Sequence, residues 1–449
     1  MKHLSGLKRV LTFLSTSFLL ICNTRRSEAG RMQPAYILGL LVAVFCTTGL
    51  CYPNPKEAQT HDQILEEQPG RINPEFPTLS AINTDFAIHL YKKLVSENLE
   101  KNVLFSPLSV SIAFALLSLG ARGNTQTQIL EGLRFNLTET PEAEIHRGFQ
   151  QLVRSLSLLN DTFQLNTGNA LFVDKSLELL EKFQEDSKVL YSAEVFPAHF
   201  QDPDLATQQI NDYVKNQTHG KIEELFKRLG ENTIMVLVNH ILFKAKWQTP
   251  FDARDTSEDK FFVSEDKIVQ VPMMQQNTLH TRVFRDEELF CTVVELKYVG
   301  NAAALLILPD EKKMKSVEDA LSPEVLKKWK NSLQEREIDL FLPKFSISSN
   351  YELEKILPTI GIEELFTSQA NLSGITGQNG IKVSQVVHKA ALDVDEAGTE
   401  AAAATGVEFI LTSSQFSPPV VRFNRPFLVI LLNEETMLFL GKVNNPQNA

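Results

Sequence analysis

Cysteine is scarce in this chain. Only four occur in 449 residues, at Cys22, Cys46, Cys51 and Cys291. The first three sit in apolar N-terminal segments that read as removable, which leaves Cys291 alone in a processed chain. That excludes an intrachain disulfide framework, and no CxxC spacing offers a thiolate metal site. Nine histidines are scattered without ligand-like pairing. The chain lacks a GxSxG elbow, an HExxH helix, a GxxxxGK(S/T) loop and a GxGxxG fingerprint. The run from Gly374 to Gly380 is glycine-rich but has the wrong spacing for phosphate, and it reads as a surface loop. No cofactor, metal site or local catalytic motif is therefore expected, although a triad built from distant residues leaves no local trace. Internal repeats are absent. Positive charge is in deficit, with 44 Lys and Arg against 55 Asp and Glu, a net charge of −11. Such a balance argues against a general nucleic-acid binder.

What the chain does have is apolar material, 43% of its residues. Length alone suggests two or three domains, yet no linker separates two cores between Ser80 and the end. The pattern implies one large α+β domain. The N-terminus carries two signal-like segments, Leu11 to Cys22 behind Lys8 and Arg9, and Ala35 to Cys51 behind Met32. Gly49 and Cys51 place small residues three and one before a cut after Cys51. Met32 would then be the working start and residues 1–31 an upstream extension. The competing reading, a membrane anchor, has an apolar run near the short limit for spanning a bilayer. Residues 52–78 are polar and proline-bearing and read as a tail. Sequons at Asn136, Asn160, Asn216 and Asn371 fit a secreted glycoprotein with no membrane attachment after signal removal.

Helical period begins at Ser80, with Phe86, Leu90 and Leu94 on one face. Ser106 then Pro107 starts a second helix, apolar on most sides, that ends at Gly120 to Gly123. Glu142 to Leu159 and Leu177 to Tyr191 read as amphipathic helices. Thr233 to Phe243 reads as a strand buried on both faces. Cys291 to Tyr298 and Ala302 to Leu308 read as strands joined at Gly300-Asn301. Further strands are expected over Ile338 to Ile347, Val420 to Leu432 and Leu438 to Val443.

One stretch stands apart, Glu396 to Phe427. Read as a strand, it puts Thr399, Ala401, Ala403, Thr405, Val407 and Phe409 on one face. Glu400, Ala402, Ala404, Gly406 and Glu408 fall on the other. Read by local propensity, Glu400 to Ala404 is instead a short helix or loop. The stretch resembles the hinge and reactive-centre loop of the serpins, the serine protease inhibitors that work by loop insertion. Phe423-Asn424-Arg425-Pro426-Phe427-Leu428 is similar to that family's signature, and the resemblance runs from about Thr78 to Pro446, strongest for its plasma inhibitor group.

The resemblance implies a single serpin domain over residues 79–449, with a large central sheet, further sheets, about nine helices and an exposed reactive-centre loop near 396–422. It implies a hinge at Glu396, Gly398, Thr399, Glu400, Ala401, Ala402, Ala403, Ala404 and Thr405. Ser106, Ser109, Asn239 and His388 match the shutter, a polar cluster beneath the point where the main sheet opens. Each alone could be a satisfied core polar group or a cap. Trp247, Lys344 and Glu396 match the breach, where the loop first enters. Lys344 and Glu396 would pair, as a rim contact or partly buried under Trp247. The family's register puts the scissile bond at Thr412-Ser413, with Leu411-Thr412 one residue away. That implies a secreted, monomeric, non-enzymatic inhibitor of an elastase-like or chymotrypsin-like serine protease rather than a trypsin-like one. The rivals are a carrier of a small hydrophobic ligand such as a hormone, and a structural or chaperone-like serpin. Lys327, Lys328 and Lys330 lie where some members bind heparin, but Glu335 and Glu337 follow closely, so a weak contact competes with a plain solvated helix face.

Overall fold

The computed structural model describes residues 79–158, 164–218, 220, 222–230, 232–399 and 417–447. The expected signal segments and tail, Asn160, the hinge from Glu400 to Thr405 and the Thr412-Ser413 bond lie outside the described residues.

Six helices, interleaved with three strands, lie in the first half of the chain. They are α1 (Leu79–Glu97), α2 (Pro107–Gly120), α3 (Gly123–Gly132), α4 (Glu142–Leu158), α5 (Glu181–Tyr191) and α6 (Pro203–Gln217). Later come α7 (Met314–Ala320), α8 (Pro323–Ser332) and two single turns, α9 (Leu353–Ile356) and α10 (Ser373–Thr376). That makes ten among the described residues, where about nine were expected. α2 is capped as its sequence suggests: the Ser106 hydroxyl accepts from the Ser109 amide, and Pro107 fills the first turn. Almost every side chain of α2 is buried, so it runs through the core rather than along its edge. The helix expected from Leu177 starts only at Glu181, because Leu177 closes a turn on Asp174 and Leu180, the residue before the helix, is extended.

Two sheets are present among the described residues. The first contains β2 (Gln164–Asp174), β3 (Glu194–Ala198), β4 (Met235–Lys246), β10 (Phe345–Glu352) and β11 (Gln385–Val394). Their order is β10-β11-β4-β2-β3, and β12 (Gly398–Thr399) joins on β4. The second sheet is built from β1 (Val103–Phe105), β5 (Ser257–Phe262), β6 (Ile268–Asp286), β7 (Cys291–Lys297), β8 (Ala302–Pro309), β9 (Gln334–Pro343), β13 (Val420–Arg422), β14 (Phe427–Asn433) and β15 (Thr436–Val443).

β4 is buried on both faces, as its apolar run predicts. Met235, Leu237, Ile241, Phe243 and Ala245 face the main core with α2. Val236 and Val238 face a second core closed by Ala206, Ile210 and Val214 of α6. Two expected strands are each broken in two. Ile338 to Ile347 divides at Pro343, which has no amide to donate, and the chain passes from β9 in one sheet to β10 in the other. Val420 to Leu432 divides at Phe423 to Pro426, where Pro426 again interrupts the ladder.

Candidate functional site

The seam between β11 and β4 is the parallel join in the middle of the first sheet. Its register pairs Gln385 with Val236 and continues through His388 with Asn239 to Ala391 with Leu242. Its neighbours on both sides, β10 on β11 and β2 on β4, are antiparallel. Beyond the seam's end the chain leaves β11, turns, and comes back as β12 onto β4, pairing Thr399 with Ala245 and Gly398 with Lys246 in antiparallel sense.

The turn is built by Asp395. Its carboxylate accepts from the amides of Ala397 and Gly398, and its own amide donates to the Gly398 carbonyl. Gly398 has φ +144, and a Cβ there would lie 2.1 Å from the Ala245 carbonyl oxygen. Only glycine lets the chain close onto β4 at this point. Thr399 is 1% exposed, and its hydroxyl is 3.0 Å from the Tyr298 hydroxyl. The ring of Tyr298 stacks on Trp247 at 4.2 Å, and the Trp247 indole donates to the Asp395 carbonyl. Lys344 lies 2.8 Å from Glu396. Thr256 donates to the other oxygen of that carboxylate. Burial alone would raise the Glu396 pKa, but the bonds from Lys344 and Thr256 outweigh it and hold the carboxyl below its usual range.

Segment 396–422 is paired as strand at both of its described ends. Its first residues are seated against β4, with Thr399 in the core, and its last three form β13 beside β9. The cause at the first end is the Asp395 turn plus Gly398. At the second end it is parallel pairing of Val420 to Arg422 with Asp339 to Phe341.

A second cluster holds the seam from beneath. His388 on β11 and Asn239 on β4 are direct register partners, and Nδ1 of the imidazole is 2.6 Å from the Asn239 amide oxygen. The other ring nitrogen, Nε2, accepts from the Ser106 amide at 3.0 Å. Nδ1 therefore carries the hydrogen, and the ring is neutral. Complete burial, with His240 nearby, pushes the His388 pKa down to about 3. The Asn239 amide donates to the Ser109 carbonyl and to Asn169 on β2 at 2.7 Å. Both strands of the seam are thus tied to the first turn of α2 and to each other.

The structure brings Ser106, Ser109, Asn239 and His388 into one cluster, with one change of part. Ser109 contributes its main chain, while its hydroxyl is buried without a partner among the described residues. Trp247, Lys344, Glu396, Gly398 and Thr399 gather at the end of the seam. Sequence reasoning missed Asn169, Tyr298, Thr256 and Asp395. Asp395 had a readable signal, an Asp three residues before a Gly, which suits a turn. The other three come from distant strands and loops and left none.

The lysine group does not form a free cationic stripe. Lys328 lies 3.2 Å from Asp286 and 2.5 Å from Glu288, and Lys330 lies 2.5 Å from Glu435. Lys327 alone of the three is exposed, and Lys328 and Lys330 are half-buried. Of the sequons, Asn136 and Asn216 are exposed and Asn371 is half-buried.

The chain belongs to the serpin (serine protease inhibitor) family, whose family model matches residues 81–446. It is 55% identical to alpha-1-antichymotrypsin of Pongo abelii over 93% of this chain and 100% of that protein. Among solved structures it is similar to human thyroxine-binding globulin complexed with thyroxine, at 46% identity and TM-score 0.78, covering 82% of this chain and 98% of that one. Human glycosylated kallistatin matches at 45% identity and TM-score 0.77, with the same coverage.

Proposed function

We propose that this chain is a secreted suicide inhibitor of a chymotrypsin-like or elastase-like serine protease, acting by insertion of its cleaved loop into the six-stranded sheet. The observation that carries this is the placement of β12. Gly398 and Thr399 already pair with β4 where the β11-β4 ladder ends. Continued in that register, Ala401 would fall beside Phe243, Ala403 beside Ile241 and Thr405 beside Asn239. The small residues would enter the core, and Glu400 would stay on the opposite face. One parallel ladder would be replaced by two antiparallel ones, which are slightly more stable per residue. The protease's own serine forms the acyl-enzyme. Insertion then carries it across the molecule before deacylation, a recognised use of stored strain.

The name of the relative alpha-1-antichymotrypsin supports a chymotrypsin-like target. Thr412 before Ser413 fits an elastase-like pocket and offers no cation to trypsin, while a cut one residue earlier, after Leu411, fits a chymotrypsin-like one. The test is a panel of chymotrypsin, elastase, trypsin and thrombin, scored for denaturation-resistant complexes. Chymotrypsin or elastase should be trapped fastest, with a released peptide beginning at Ser413 for elastase and at Thr412 for chymotrypsin. Fastest trapping of thrombin or trypsin, or no complex with any of the four, contradicts the reading. A second reading, a hormone carrier, is supported by the thyroxine-bound neighbour. Tight thyroxine binding without protease trapping would favour it.

A further inference from the structure

α6 lies across the seam. Its Ile210 and Val214 close one core with Phe172 of β2, Val238 of β4 and Val387 of β11. The seam therefore cannot widen while the helix stays packed, because Val238 and Val387 would part beneath it. His240 of β4 lies on the same face. Its register partners are Gly168 on β2 and Lys389 on β11, and Tyr213 of α6 meets the ring edge-on. The ring is buried, and neither nitrogen has a hydrogen-bond partner among the described residues. A polar group in that state is costly, and the cost disappears once water reaches it. The groups packed around the ring supply no counter-charge. Lys389 from β11 is itself a cation, within electrostatic reach of Glu224 in the segment after α6. Tyr213 from α6 bonds through its hydroxyl to Glu194 of β3. Gly168 from β2 has no side chain, and His388 is on the opposite face, bonded to Ser106.

We propose that His240 is a proton-operated latch for α6: acid, by charging the imidazole, lifts the helix from β4 and opens the seam to an incoming strand. Under the closed helix, burial holds the ring down to about 4, while in contact with water it has its ordinary value near 6.5. A depressed value in the closed form means that closure is at full strength above pH 6.5 and weakens as pH falls toward 4. Between pH 7.5 and pH 5.0 the balance moves toward the lifted form by roughly 25-fold. Lys389 works in the same direction, because a second cation beside it disfavours the closed form further. The lifting of α6 stands by itself, while its effect on strand entry rests on the insertion reading above.

Two rates test the latch, each taken at pH 5.0 and divided by its value at pH 7.5. The first is labelling of Val387→Cys, beneath α6, by a neutral disulfide reagent. Cys291 is buried and common to every protein compared. The second is annealing of a synthetic peptide with the sequence of residues 399–409 into the intact protein, followed on a native gel. Comparing proteins with His240 and with His240→Phe cancels the titration of the thiol and of the peptide. Both ratios should be at least fivefold higher with His240. His240→Tyr and Val214→Cys stand in for whichever variant fails to fold. Equal labelling ratios overturn the latch. Unequal labelling with equal annealing keeps the latch and overturns its hold on the seam. Unequal labelling with no annealing at either pH keeps the latch and sinks the insertion reading instead.

Discussion

His240 sits on β4 one residue from the clamp, and it differs from His388 in a telling way. It is 1% exposed, and neither ring nitrogen has a hydrogen-bond partner among the described residues. It packs on Gly168, where a Cβ would lie 2.2 Å from the ring, and edge-on against Tyr213 under α6. Burial lowers its pKa to about 4. Both histidines are thus neutral in the fold, while the unfolded chain protonates them near pH 6.5. A folded pKa below the unfolded value means stability is full above about pH 6.5 and is lost as pH falls toward the folded values. With both groups still neutral in the fold at pH 5, each costs roughly 2 kcal/mol there. Urea unfolding at pH 7.5 and pH 5.0 checks this. His240→Phe keeps the ring contact and removes the titrating group, so it should recover about 2 kcal/mol of the acid loss. An unchanged acid loss in that variant would show that His240 is not the source. Little of this was legible in the sequence. His388 and Asn239 are 149 positions apart, and Ser106 and His388 are 282 apart. The resemblance could nominate them, but no local pattern marks Asn169 as their partner or His240 as a ring resting on Gly168.

At the scale of the element, β12 is where sequence and structure differ most usefully. The alternation from Thr399 to Phe409 reads as a strand, and the resemblance places it in an exposed loop. The structure has Gly398 and Thr399, at the start of that stretch, already paired with β4. The alternation was legible because strand faces follow directly from residue spacing. The pre-seating was not, because it depends on Tyr298 and Ala245 from other parts of the chain. Broken strands were missed for a related reason: apolar runs through Pro343 and Pro426 look continuous until the chain changes sheet. Two substitutions test the element. Gly398→Ala drives a methyl into the Ala245 carbonyl, and Thr399→Arg sets a cation beside Tyr298 in the core. An unpaired buried charge costs several kcal/mol, so β12 should withdraw from β4 instead. Both variants should be cut at the same bond and at a similar initial rate, while the fraction of protease trapped falls at least tenfold. The readout is the ratio of cleaved inhibitor to stable complex on a gel. Trapping equal to wild type by Thr399→Arg would remove β12 as the leading edge of insertion.

For the whole molecule, the account rests on a sheet that is ordered yet short of its best pairing. Its central seam is parallel between two antiparallel neighbours, and the strand that could fill it is tethered at one end by the Asp395 turn. The clamp of His388, Asn239 and Ser106 is made of neutral hydrogen bonds that net only about 1 kcal/mol each. It can therefore hold the seam closed and still be exchanged. The most direct measurement compares the melting of intact protein with protein nicked between residues 400 and 416 by a protease that is not trapped. The nick is confirmed by sequencing, and both fragments stay associated. Cutting a surface loop otherwise leaves stability unchanged or lowers it. The account predicts a rise in Tm of at least about 10 °C, since each kcal/mol moves Tm by roughly 2 °C in a domain of this size, and a much smaller rise for Thr399→Arg. Nicked protein that melts at or below the intact temperature would contradict it, because no strand would then have entered the seam.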